Sequence, residues 1–178
     1  ALPIYQPMSD EKTREGEMLE NEEDEVLQAD KYLLFKLGNE VYGINIMTVT
    51  DIIELQKITV VPDMPEYIRG VINLRGQVIP VIDLRLRFNM EFREYDDRTC
   101  IIIVNIEDQP IGFIVDTVSE VEDIPEKNID PAPEFKGETA REHYIAGLGK
   151  VDNEVKILLD VKKIVKQEEI ESLKDATN

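Results

Sequence analysis

Two carboxylates, Asp83 and Asp116, lie inside otherwise apolar runs, which makes them the residues best placed for acid–base chemistry. A hydrolytic pair would need one carboxyl kept protonated by burial and facing an ionised partner. Both fall at the ends of short β-branched runs, where a carboxylate ordinarily accepts backbone N–H groups, so their placement reads first as capping. Nucleophilic catalysis would need a histidine beside a serine or cysteine. The one histidine, His143, lies in the polar stretch Arg141-Glu142-His143-Tyr144, and the one cysteine, Cys100, leads into an isoleucine run. His143 reads as a surface residue and Cys100 as a small, buried or half-buried apolar one. Zinc takes about four histidine or cysteine ligands, more than this sequence holds. No phosphate-binding GxGxxG or GxxxxGK[ST] loop occurs, since Gly147-Leu148-Gly149 is too short a match and leads into a strand. No calcium-binding loop of EF-hand spacing occurs either. Neither a metal nor a cofactor is expected, and the residues favour a binding module over an enzyme.

The elements that position these residues are β-strands. Tyr32–Leu37 and Val41–Ile46 flank Gly38-Asn39, and Val71–Leu74 and Gln77–Ile82 flank Arg75-Gly76. Ile101–Ile106 and Ile111–Val115 flank Glu107-Asp108, and Val151 and Val155–Leu159 flank Asp152-Asn153. Each pattern predicts a hairpin, and the β-branched runs are too short for helices and apolar enough to be buried. Helices are few: a turn or two near Pro65–Arg69, one after Asp83, and a C-terminal helix from Val161, with residues 166–178 as its end and tail. Residues 1–30 differ: ten acidic side chains stand between Asp10 and Asp30 against Lys12 and Arg14, so this tail is expected to be mostly disordered. The net charge of −18 argues against nucleic acid and anionic membrane as partners. The single cysteine suits a reducing cytosol, and no apolar run reaches the length of a membrane span, so a cytoplasmic location is expected.

An internal repeat organises residues 31–165. Shifted by 69, Tyr32–Leu37 falls on Ile101–Ile106, Gly43 on Gly112, Val49 on Val118 and Asp51 on Glu120. Beyond a longer loop the shift becomes 77, and Gly70 meets Gly147 while Ile82-Asp83-Leu84 meets Leu159-Asp160-Val161. Two five-stranded units, about 32–98 and 99–165 with a strand free to cross between them, are each too small to stand alone and should pack on a shared core as small Greek-key or SH3-like barrels. The expected class is all-β with a few short helices.

The segment Gly70-Val71-Ile72-Asn73-Leu74-Arg75-Gly76-Gln77-Val78-Ile79-Pro80-Val81-Ile82-Asp83-Leu84-Arg85 resembles the signature of the CheW family of chemotaxis adaptors. Tyr42-Gly43-Ile44, Ile111–Asp116, Asp130–Phe135 and Ile145–Gly149 follow in that family's order, so the resemblance runs from about Tyr32 to Val165. It implies two SH3-like barrels, no catalysis, and coupling of chemoreceptors to a cytoplasmic histidine kinase, CheA, through its regulatory domain, at membrane-associated receptor arrays. An adaptor of a related, non-chemotactic array would share these motifs, and a carboxylate-dependent hydrolase or ligand-binding barrel is the alternative from another class. The resemblance assigns the receptor tip to Val49, Asp51, Arg75, Val118 and Val121, and the kinase to Thr99, Cys100 and Phe135. Asp130 stands where some relatives place a basic residue. The valines suit the core as well as a receptor groove, Phe135 suits the core as well as an interface, and Arg75 suits a solvated turn as well as a contact. Gly43, Gly70, Gly76, Gly112 and Gly147 are read as turn or structural positions.

Overall fold

The computed structural model describes residues 29–132, 143–166, 168, 169, 171 and 172. Eleven strands carry the fold: β1 (Lys31–Leu37), β2 (Glu40–Asn45), β3 (Val49–Glu54), β4 (Ile68–Leu74), β5 (Gln77–Asp83), β6 (Cys100–Ile106), β7 (Gln109–Val115), β8 (Thr117–Asp123), β9 (Ile129–Pro131), β10 (Ile145–Val151) and β11 (Glu154–Leu159). Two single-turn helices, α1 (Leu84–Arg87) and α2 (Val161–Ile164), follow β5 and β11. The strands form a six-stranded sheet, β8-β1-β2-β11-β10-β9, and a five-stranded sheet, β3-β6-β7-β5-β4. The four expected hairpins are present, with left-handed backbone at both turn residues of Arg75-Gly76, Glu107-Asp108 and Asp152-Asn153. Such turns match the twist of the strands they join.

The strand order runs across the 98/99 division between the repeats. Each sheet combines the first hairpin of one repeat with the later strands of the other. Gly43 of β2 pairs in parallel with Leu158 of β11, and its repeat counterpart Gly112 of β7 pairs with Val81 of β5, the counterpart of Leu158. The same exchange joins β1 to β8 and β6 to β3, with a bulge at equivalent positions in both ladders. Connector length supplies the reason. Asp116 is the single residue between β7 and β8, and Ile46–Thr48 is one 3-10 turn between β2 and β3. A single residue is shorter than a tight hairpin loop, so β7 passes directly into β8 of the neighbouring sheet, and the 3-10 turn carries β2 into β3 in the same way.

Each sheet curls until its edges approach, although the ladders do not run continuously round. The chain leaving β3 at one edge returns to β4 at the other through a bridge between Thr59 and Val71. In the larger sheet β9, which continues from β8, pairs with β10. Gly70 permits this approach: its φ is +140°, and a β-carbon there would stand 2.1 Å from the Thr59 carbonyl oxygen. Gly147, its counterpart, faces Ile129 and the Asp130 carbonyl in the same way. Gly43 and Gly112 lie in mid-strand rather than in turns, where leucine, valine and isoleucine side chains fill the space a β-carbon would take.

A shared core forms where the sheets meet, drawing Leu33, Phe35, Tyr42 and Ile44 from one sheet and Ile82, Ile102, Val104 and Phe113 from the other. Ile72, Ile79, Val81, Ile101, Ile103 and Ile114 fill the inside of the five-stranded sheet. Strand β6 therefore buries both faces, as its unbroken apolar run requires. The C-terminal helix is interrupted: α2 ends at Ile164, Val165 turns to an extended conformation and enters the core, and Glu168, Glu169, Glu171 and Ser172 are helical again. The Pro65–Arg69 segment is a turn passing directly into β4.

Candidate functional site

The two carboxylates that could have done chemistry are committed to the fold. Asp83 caps α1, accepting the Leu86 N–H at 3.3 Å, and its other oxygen accepts the Tyr95 hydroxyl at 2.7 Å. Asp160, its counterpart, caps α2 through the Lys162 N–H at 3.0 Å. Asp116 accepts Arg85 in a bidentate fork at 2.7 and 2.5 Å, together with the Gly38 N–H at 2.8 Å and Arg93 at 3.3 Å. Burial alone would raise its pKa, but the Arg85 fork, the Gly38 N–H and the cationic charges hold it below the usual carboxylate value. This cluster ties the β1–β2 turn and α1 to the β7–β8 junction, and the spacing of Asp83 and Asp116 had indicated capping but not the arginines.

A second polar feature faces solvent. Arg75, at the β4–β5 turn, lies 3.2 Å from Asp51 of β3, although these elements stand on opposite edges of the five-stranded sheet. Curling of the sheet brings them together. The Arg75 side chain is 78% exposed and that of Asp51 26%. Asp51 also accepts the Ile52 N–H at 3.0 Å, and Asn73 accepts the Gly76 N–H at 3.0 Å, which fixes both halves of the feature. The backbone of Arg75 is left-handed, φ +53°, whereas five of the seven such non-glycine residues among those described are Asp or Asn. Long side chains gain little there, because only short polar ones can bond back to the local backbone. The repeat sharpens the contrast: the counterparts of Asp51 and Arg75 are Glu120 and Asp152, two acids, so the opposite-charge pair belongs to one sheet only.

The remaining candidates divide by burial. Val49 and Val118 are half-buried and pack against the shared core from different sheets. Val121 is 50% exposed, and the neighbouring strand residue of Asp51, Ile52, is an exposed apolar side chain that the motif reading missed. Thr99 is buried, and its hydroxyl accepts the Asp96 N–H at 2.9 Å in the turn before β6. Cys100 is half-buried against the core, with its thiol 3.2 Å from the Arg98 carbonyl. His143 is exposed, as its polar setting suggested. Phe135 lies outside the described residues, as does most of the acidic tail. Among the described residues no group of three or more His, Cys, Asp and Glu could hold a metal ion, and no helix is long and apolar enough to cross a membrane.

One further cluster was not legible in the motifs. Tyr67 and Tyr144 are counterparts at the shift of 77, and each carbonyl accepts the N–H of its aspartate cap at 2.8 Å. Between their rings lies the guanidinium of Arg87, 4.4 Å from the Tyr67 centroid and 5.3 Å from that of Tyr144. Arg87 donates to the Ile164 carbonyl at 2.8 Å and meets Glu169 at 3.7 Å. The Tyr67 hydroxyl donates to Glu169, and burial followed by that bond pushes its pKa up to about 12.

Comparison with known proteins bears directly on this arrangement. A family model described as a CheW-like domain matches residues 31–169. The chain belongs to the CheW family. The chemotaxis protein CheW of Klebsiella aerogenes is 40% identical over 140 residues, 79% of this chain and 84% of that protein. That of Helicobacter pylori is 34% identical over 160 residues, 89% of this chain and 94% of that protein. The crystal structure of the scaffolding protein TtCheW from Thermoanaerobacter tengcongensis superposes with a TM-score of 0.73 at 36% identity, covering 79% of this chain and 95% of that one. The SH3-like, mostly β architecture and the non-enzymatic adaptor role in chemotaxis follow from membership of this family.

Proposed function

We propose that this adaptor couples chemoreceptors to the histidine kinase CheA at the cytoplasmic face of membrane receptor arrays. The receptor's helical tip meets Val49, Asp51, Arg75, Val118 and Val121, and the kinase regulatory domain meets the region of Thr99, Cys100 and Phe135. The observation that carries this reading is the Arg75–Asp51 pair. A cation is displayed on a hairpin turn in a protein of net charge −18, held in a backbone conformation that favours shorter residues. An exposed ion pair contributes at most about 1 kcal/mol to stability, so folding gives little reason for an arginine there. A guanidinium fork can bind a carboxylate or carbonyl across an interface, and Asp51 orients it. Thr99 supports the kinase contact by fixing the turn ahead of β6, since its own side chain is buried.

The test is Arg75→Ala. Its unfolding free energy in urea should match the parent within about 0.5 kcal/mol. Its affinity for a receptor-tip fragment should fall by roughly 5- to 150-fold, the range of a lost interface anchor, and receptor-dependent kinase control should fall with it. Parental affinity and control would make Arg75 a turn residue only.

A further inference from the structure

The two sheets share one core but differ on their inner faces, and the internal repeat makes the difference legible position by position. The hairpins β4–β5 and β10–β11 send matched residues to the shared core: Ile68 and Ile82 from one, their counterparts Ile145 and Leu159 from the other. Their inner faces are not matched. Ile72 and Ile79, at 2% and 1% exposure, belong to the cluster that fills the five-stranded sheet. The repeat carries them onto Gly149 and Lys156, and carries Ile53, which packs against that cluster, onto Glu122.

Lys156 is therefore an inward-pointing lysine where the other copy has an isoleucine. It is 8% exposed, and its ammonium donates at 2.5 Å to Glu154, an exposed residue at the end of the same hairpin. Burial, then the neighbouring Glu120, raise the pKa of Glu122 against the lowering effect of Lys156. Leu34, Ile124 and Leu158 are buried on this side, and Ile124 fills the space above Gly149, where a β-carbon would stand 3.2 Å from it. The compensation is incomplete. Ile101 and Ile114 of the five-stranded interior correspond to Tyr32 and Asn45, both half-buried on the wall of a groove of about 260 Å³. The seam between the copies is also shorter here: β11 meets β2 over two pairs, Ile157–Tyr42 and Leu158–Gly43, whereas β5 meets β7 over three.

We propose that β9, β10 and β11 form a unit that opens along the β2–β11 seam while the five-stranded sheet stays closed. Burying an isoleucine side chain is worth roughly a ten- to hundredfold factor in such an equilibrium, and the hairpin β10–β11 forgoes it at Lys156. A buried ammonium gives back much of its pairing energy as desolvation cost, so the Lys156–Glu154 pair does not replace that factor. Strand β9 pairs only with β10 among the described strands, at three positions, so it leaves with the hairpin. Opening bares the main chain of β2 at Tyr42 and Gly43, an edge that the closed sheet covers. This inference concerns the free chain and does not rest on receptor or kinase binding.

Native-state hydrogen exchange of the full-length chain in low urea provides the test. In the parent, amides of 147–151 and 154–158 should exchange, relative to their intrinsic rates, about tenfold or more faster than those of 70–74 and 77–81. Their urea dependence should also be smaller, because a partial opening exposes less surface than global unfolding. Lys156→Ile with Glu122→Ile writes the Ile79 and Ile53 of the five-stranded interior into the six-stranded one, and should slow exchange in β9–β11 about tenfold. Ile79→Val weakens only the five-stranded interior, so it should speed exchange in β4–β5 about threefold and leave β9–β11 at the parental rate. Equal rates and equal urea dependence for the two hairpins of the parent would overturn the proposal. So would a double variant that exchanges no more slowly, or an Ile79→Val that speeds both hairpins alike.

Discussion

Glu169→Gln removes the one carboxylate that, among the described residues, pairs with the buried guanidinium of Arg87. Arg87 is 7% exposed and keeps three favourable contacts without Glu169: the Ile164 carbonyl and the faces of Tyr67 and Tyr144. Breaking a buried ion pair from one side costs about 3–5 kcal/mol. The retained carbonyl bond and ring contacts offset about a third of that, leaving about 2–3 kcal/mol. For a domain of this size that lowers Tm by about 4–12 °C. The pair is also incompletely satisfied, since one Arg87 Nη and one Glu169 Oε have no hydrogen-bond partner among the described residues. A partly satisfied buried network gives up stability relative to apolar packing. Arg87→Met with Glu169→Gln should therefore recover most of the loss. Urea unfolding of the parent, both single variants and the double variant closes the cycle. A Glu169→Gln unfolding free energy within about 0.5 kcal/mol of the parent would refute the argument. So would a double variant whose loss equals the sum of the single ones.

Gly112→Ala places a β-carbon 2.8 Å from both Ile101 and Val81, and should cost about 1–3 kcal/mol by overpacking, read from chemical unfolding. Gly76→Ala meets no atom within 4 Å and should be milder, its cost coming only from a φ of +83°. Asp116 has a folded pKa below its unfolded value, so its stabilisation is present above the unfolded value near 4 and is lost as pH falls through the folded one. Asp116→Asn should accordingly be less stable than the parent at pH 7, and the gap should narrow in unfolding curves recorded from pH 5 downward. Phe135→Ala should keep the parental circular dichroism and Tm while weakening assembly with the kinase, measured by co-sedimentation with receptor vesicles.

The local sequence determined a good deal. Turn residues between β-branched runs marked four hairpins, and the shift of 69 then 77 marked two copies of one pattern. Asp83 and Asp160 were legible as caps because capping is decided by a residue and the N–H groups two or three positions on. Partner choice between strands was another matter. Gly43 could pair as well with Val81 of its own repeat as with Leu158 of the other, since both are apolar β-strand residues at equivalent positions. Only the joint packing of both copies on one core, with the single residue Asp116 too short a connector to turn back, selects the exchanged arrangement. The Arg75–Asp51 pair depends on the curl that brings opposite sheet edges together, and the Arg87–Glu169 pair on where Val165 turns the chain into the core. Such contacts join residues distant in sequence, and no local propensity encodes the sum of packing terms that sets them side by side.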